Sequence, residues 1–167
     1  QVTNLDRYEL FFPEKRQFFL ENGDQFANFG YDTIRPFFSR RIGLGGVPIR
    51  FGARLSGKLD KDWRIGVMDM QTGGVDGQGL PAENYSTVAL QRRVFSRSNI
   101  GMILVDREAT GNGPAGTVLT QTGYNRNLGA EYNLASADNL WTGKLLYLKS
   151  FSSGTQGNGD VYAGHLQ

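Results

Sequence analysis

The sequence predicts an all-β chain, an antiparallel up-and-down meander forming part of an outer-membrane β-barrel, and three observations predict it. Gly makes up 23 of the 167 residues, roughly twice the usual share, which marks many tight turns. Runs of about ten residues alternate apolar and polar side chains, the length a tilted strand needs to cross hydrocarbon. Their connections are alternately long and short, the habit of barrels whose external loops are long and periplasmic turns short.

Composition narrows the chemistry. Lys plus Arg exceed Asp plus Glu by only 18 − 16 = 2, too small an excess to argue for nucleic acid. There is no cysteine, and His165 is the only histidine, which excludes thiolate and multi-histidine metal sites within this sequence. No metal or cofactor is expected. No apolar run approaches the ~18 residues of a spanning helix, and a mean hydropathy of −0.39 suits strands that are apolar on one side only.

Residues 1–35 read as an irregular, aromatic-rich connector or plug-like segment, and 36–167 as about eight antiparallel strands. Thr33 to Ile42 is counted as the first strand. From Pro48 to Leu59, Ile49, Phe51, Ala53 and Leu55 oppose Arg50, Arg54, Ser56 and Lys58, since successive strand side chains point to opposite faces. After the polar turn Asp60 to Asp62, Ile65 and Val67 oppose Arg64 and Gly66, with Met68 and Met70 blurring the pattern; the two runs pair as a hairpin. A Gly-rich loop from Gly73 to Asn84 leads to a second hairpin, about Tyr85 to Val94 and Asn99 to Arg107. Ile103 and Val105 make both faces of its return strand apolar. Beyond the loop from Ala109 to Thr117, Tyr124 to Leu134 alternates cleanly except at Arg126. Leu140 to Ser150 returns with Trp141, Leu145 and Tyr147 on one side, and Leu146 and Leu148 confuse the other. A last loop, Ser152 to Asp160, precedes the run Val161 to Gln167.

Alternation does not say which face is wet. In a soluble sandwich the apolar face points inward; in a membrane barrel it meets lipid. The polar faces here carry Gly, Asn, Ser and Arg rather than Lys and Glu, and Trp63, Tyr85, Tyr124 and Trp141 fall near strand ends, where interfacial aromatics anchor barrels. Lipid is therefore the expected neighbour. Arg50, Arg54, Arg64, Arg93 and Arg107 are expected to face the lumen, either binding anionic or sugar ligands or bracing the wall against carboxylates such as Glu131.

Eight of the 11 phenylalanines lie within the first 38 residues, interleaved with Glu14, Lys15, Arg16, Glu21 and Asp24. As a connector, their rings fill space and the charges pair. Glu14 and Glu21 also make a candidate carboxylate pair for glycoside hydrolysis, which needs two such groups roughly 5 to 10 Å apart.

The run RYELFFPEKRQFFLEN from Arg7 to Asn22, with PFFSRRIG from Pro36 to Gly43, closely resembles the start of the barrel region of domain-of-unknown-function family 5916. The hairpin from Ile49 to Thr72 is similar as well, so the resemblance covers about the first 110 residues. It implies an outer-membrane protein in which a domain similar to family 9 carbohydrate-binding modules precedes a β-barrel, and a longer chain than this one. It carries no catalytic residue.

Other motifs are weak. Gly43 to Gly46 lack the Lys and Ser or Thr of a phosphate loop. Gly154, Gly157, Gly159 and Asp160 form one copy of a calcium-type glycine repeat without tandem partners. His165 has no triad partner beside it, and a structural role is expected. The resulting expectation is a non-catalytic transport, docking or scaffold element in the bacterial outer membrane, with lipid, glycan and other outer-membrane proteins as partners. The rivals are a glycan-processing hydrolase and a soluble β-sandwich binding module that buries Phe51 and Leu55.

Overall fold

The structure, a computed structural model, describes residues 14–75, 79–110, 123–153 and 158–167. Seven antiparallel strands form one sheet in the order β1-β2-β3-β4-β5-β6-β7. They are β1 (Ile49–Lys58), β2 (Trp63–Thr72), β3 (Glu83–Val94), β4 (Ser98–Ala109), β5 (Tyr124–Ala135), β6 (Thr142–Ser152) and β7 (Gly159–Leu166). Every neighbour in sequence is a neighbour in space, as short connections favour. β1 and β7 are the two edges, so the sheet is not closed into a barrel.

The expected strand from Thr33 to Ile42 does not form, which leaves seven strands among the described residues rather than about eight. Gly30 takes a left-handed φ of 88°, Tyr31 and Ile34 bridge each other, and Ser39–Arg41 is a 3-10 turn. The chain coils there because Phe37 and Ile42 both turn into the core. With the short helices α1 (Gln17–Leu20) and α2 (Asp24–Ala27), residues 14–48 form one irregular segment lying against one face of the sheet.

That face, the inner one, holds the core. Phe19, Phe26, Phe29, Phe37 and Ile42 of the segment pack with Met68, Met70, Ala89, Ile103, Leu146 and Leu148 of the strands. Three strand glycines seat the rings. A Cβ at Gly66 would lie 2.6 Å from Phe26 Cζ, one at Gly129 2.7 Å from Phe29 Cε1, and one at Gly101 3.3 Å from Phe29 Cε2. Any larger residue there would lift the segment off the sheet.

The outer face is uncovered and apolar at mid-strand. Phe51 (66 % exposed), Leu55 (68 %), Met102 (50 %) and Leu145 (62 %) lie there with Val88, Leu104 and Leu128. Toward the long-loop end the same face turns polar: Ser86 donates to Asp69 at 2.5 Å, Arg126 pairs with Asp106 at 3.1 Å and Lys149 with Asp160 at 3.0 Å. Arg126, which broke the alternation, belongs to this charged row. At the short-turn end Phe95 and Trp141 are exposed.

Two placements correct the alternation. A register shift lies between Ile49, paired with Thr72, and Phe51, paired with Gln71. This bulge takes Arg50 out of line with Arg54. Ile49 instead lies against Gly43, and the Arg50 guanidinium lies over Gly73, its Nε 2.6 Å from where a Cβ would be. Tyr85 is no interfacial anchor: it pairs with Met70 on the inner side, is half-buried against the core, and donates to Glu83.

Candidate functional site

A polar chain crosses the inner face near the short-turn end and ties the N-terminal segment to five strands. It begins at Asp24 of α2, whose Oδ2 pairs with Arg64 of β2 at 2.9 Å. Arg64 also donates to Gln91 Oε1 on β3 at 3.3 Å, and Gln91 donates to Asn99 Oδ1 on β4 at 3.1 Å. Asn133 of β5 donates to the same Asn99 oxygen at 2.9 Å and to Glu131 Oε1 at 2.8 Å. Glu131 then returns to the segment: its Oε2 accepts from the Gly30 N–H at 2.8 Å and pairs with the Lys144 ammonium of β6 at 3.0 Å, while Lys144 donates to the Gly30 carbonyl.

These residues lie in register because the strands pair without slippage: Arg64 faces Gln91, and Asn99, Asn133 and Lys144 stand side by side. Glu131 is 7 % exposed, and such a burial is tolerable only because its oxygens accept hydrogen bonds and Lys144 balances its charge. Beside it, Tyr31 donates to the Lys144 carbonyl at 3.0 Å and meets His165 Nδ1 at 3.1 Å. His165, for which only a structural role is expected from sequence, thus lies against a tyrosine of the segment.

Between α2 and β3 to β6 lies a cavity of about 230 Å³, lined by Asp24, Asn28, Phe29, Gln91, Asn133 and Lys144 among others. The cavity is rimmed by carboxamides and by charges that already pair with one another.

The arginines singled out from sequence are engaged with protein. Arg54 donates to the Phe18 carbonyl at 2.6 Å and to the Glu21 carbonyl, and lies 5.1 Å from the Phe26 ring centroid. Arg93 pairs with Asp62 at 3.1 Å and Arg107 with Glu83 at 2.7 Å. Arg64 holds Asp24. Each links a strand to its neighbour, to a turn or to the segment, and Arg50 sits apart in its bulge.

Glu14 and Glu21 have different surroundings. Glu14 binds Arg16 at 2.7 Å and accepts from Ser39 at 2.7 Å, while Arg16 donates to the Ile42 and Ser39 carbonyls and lies over the Phe19 ring. The hydrogen bond from Arg16 is the main cause holding the Glu14 carboxyl down at about 2, the opposite of the raised value a general acid needs. Glu21 is exposed and presents its backbone carbonyl to Arg54. The two stretches that carry the family resemblance therefore clasp each other through Glu14, Arg16, Ser39 and Ile42. Gly154 and Gly157 of the glycine repeat lie outside the described residues, and Asp160 of that repeat is taken by Tyr147 and Lys149.

Sequence reading missed Asn99, Asn133, Gln91 and Lys144. The signal was present as polar residues on the inner face of four adjacent strands, but their alignment depends on register. No protein-family model, curated protein or solved structure matches the chain.

Proposed function

We propose that this sheet is a wall segment of an outer-membrane β-barrel, with residues 14–48 seated on its lumen side as a plug, and that it serves a non-catalytic transport, docking or scaffold role. One observation carries the reading: the irregular segment covers the face that holds the glycines, the core and the polar chain, while Leu55, Met102, Leu104, Leu128 and Leu145 are left exposed on the other. Exposed apolar patches of this extent mark a surface that meets something other than water. Hydrocarbon suits a band bounded by a charged row at the long-loop end and by Phe95 and Trp141 at the short-turn end. The link to carbohydrate is part of the same proposal and rests on the resemblance to family 5916.

A soluble sandwich is disfavoured because it would bury Phe51 and Leu55, two of the most exposed apolar residues on the sheet. Fractionation of cells producing the protein tests the reading. Recovery in the outer-membrane fraction, with extraction only by detergent, is expected. A monodisperse protein in the soluble fraction would overturn it.

A further inference from the structure

We infer that the cavity between α2 and strands β3 to β6 is a binding site for a small, neutral, polyhydroxylated molecule of monosaccharide size. This goes beyond the wall-segment reading and its carbohydrate link by resemblance, because it assigns a ligand to this chain's own inner face from the rim's charges and hydrogen bonds and holds whatever medium covers the outer one.

The charge balance of the rim comes first. Asp24 is matched by Arg64 at 2.9 Å and Glu131 by Lys144 at 3.0 Å. An anion entering the cavity would meet two carboxylates and a cation two basic groups, so neither gains a net partner. A neutral guest displaces no ion pair.

Unused hydrogen-bonding capacity comes second. The amide of Asn133 donates through Nδ2 to Asn99 and Glu131, and its Oδ1 has no partner among the described residues. Among the described residues the Asp24 carboxylate is engaged through Oδ2 alone, the Lys144 ammonium donates to the Gly30 carbonyl and pairs with Glu131, and the Asn28 side-chain amide has no hydrogen-bond partner. The rim thus offers acceptors and donors together. A hydroxyl group is both donor and acceptor and satisfies either kind of neighbour, whereas a carboxylate or an ammonium ion serves only one. Phe29 supplies an apolar wall to the same cavity, suited to the C–H face of a ring that carries hydroxyls at its edge. A volume of about 230 Å³ accommodates one such ring.

The test uses the purified protein in detergent and ligand-observed NMR with D-glucose, D-galactose and myo-inositol, with acetate and tetramethylammonium as charged probes. Saturable binding of at least one neutral probe is expected, weakened about three- to tenfold by Asn28→Ala, which removes one exposed hydrogen-bonding group. Asn125→Ala, at the far end of the inner face, should leave it unchanged. Asn28→Trp, on the exposed C-cap of α2 and able to fill the cavity, should abolish it. Binding of the charged probes alone, binding indifferent to both Asn28 variants, or no binding at all would overturn the assignment. A soluble protein that still binds sugar would overturn only the membrane reading.

Discussion

Phe29 and Gly129 fit together as ring and seat: a Cβ on Gly129 would lie 2.7 Å from Phe29 Cε1, with Leu148 Cδ2 and Ile103 Cγ2 at 2.6 and 2.9 Å on its other sides. The contact joins positions 100 residues apart and places the N-terminal segment on the inner face.

Gly129→Val should therefore unseat the segment. Overpacking of a closed contact costs about 1–3 kcal/mol, and thermal unfolding should register it as a lower midpoint. Limited proteolysis should cut between residues 14 and 48 faster than in the parent protein. A Val tolerated with no change in either measurement would mean that the ring does not rest there.

Glu131 and Lys144 are a buried pair, and breaking it should cost more than deleting it. Lys144→Met leaves the carboxylate without its counter-charge, for which about 3–5 kcal/mol is typical. The double variant Glu131→Leu with Lys144→Met should recover part of that loss. A thermodynamic cycle on the four proteins reads the coupling, and additive single effects would count against the pairing.

The clasp at Glu14 makes stability depend on acid. Its carboxyl is held at about 2, below the ordinary 4.5, chiefly by the Arg16 hydrogen bond. A group depressed in the folded state contributes fully above its unfolded value and is lost as pH falls through its folded one. Stability should thus decline between about 4.5 and about 2. Glu14→Gln should be less stable at neutral pH and flatter across that window; a parallel pH curve would remove Glu14 as the source.

Met102 lies in the middle of the outer apolar band, beside Leu90 and Ala130 in register. Under the membrane reading, Met102→Arg should destabilise the folded protein in lipid by about 2–4 kcal/mol. In a soluble module an exposed position of this kind would change stability by about 0.5 kcal/mol or less. Urea titration of the vesicle-inserted protein separates the two.

Arg54 binds two carbonyls of the segment with its two terminal nitrogens. Arg54→Lys should not restore what Arg54→Met loses, because an ammonium group cannot span both acceptors as a planar fork does. Proteolytic release of the segment is the readout, and equal protection by Lys would refute the forked contact.

Much of the sheet was legible in order: the turns, the hairpins and the outward set Phe51, Leu55, Leu128 and Tyr132 follow from a period of two. The positions that spoiled the alternation, Met68, Met70, Ile103, Leu146 and Leu148, are buried under the segment. They looked like noise because alternation describes a strand with one apolar face, and here both faces are apolar where a second layer lands. The bulge at Arg50 was invisible for a related reason, since one extra residue changes facing without changing composition.

Composition, turn residues and periodicity were enough to specify an antiparallel meander with one greasy side, because those properties act over a few residues and within single hairpins. Which side residues 14–48 would cover, and that Asn99, Asn133, Glu131 and Lys144 would align in one polar chain tied to Gly30, emerged only in three dimensions. A two-residue repeat is symmetric between faces, and only contacts spanning about a hundred positions, Phe29 on Gly129 and Gly30 on Glu131, break that symmetry.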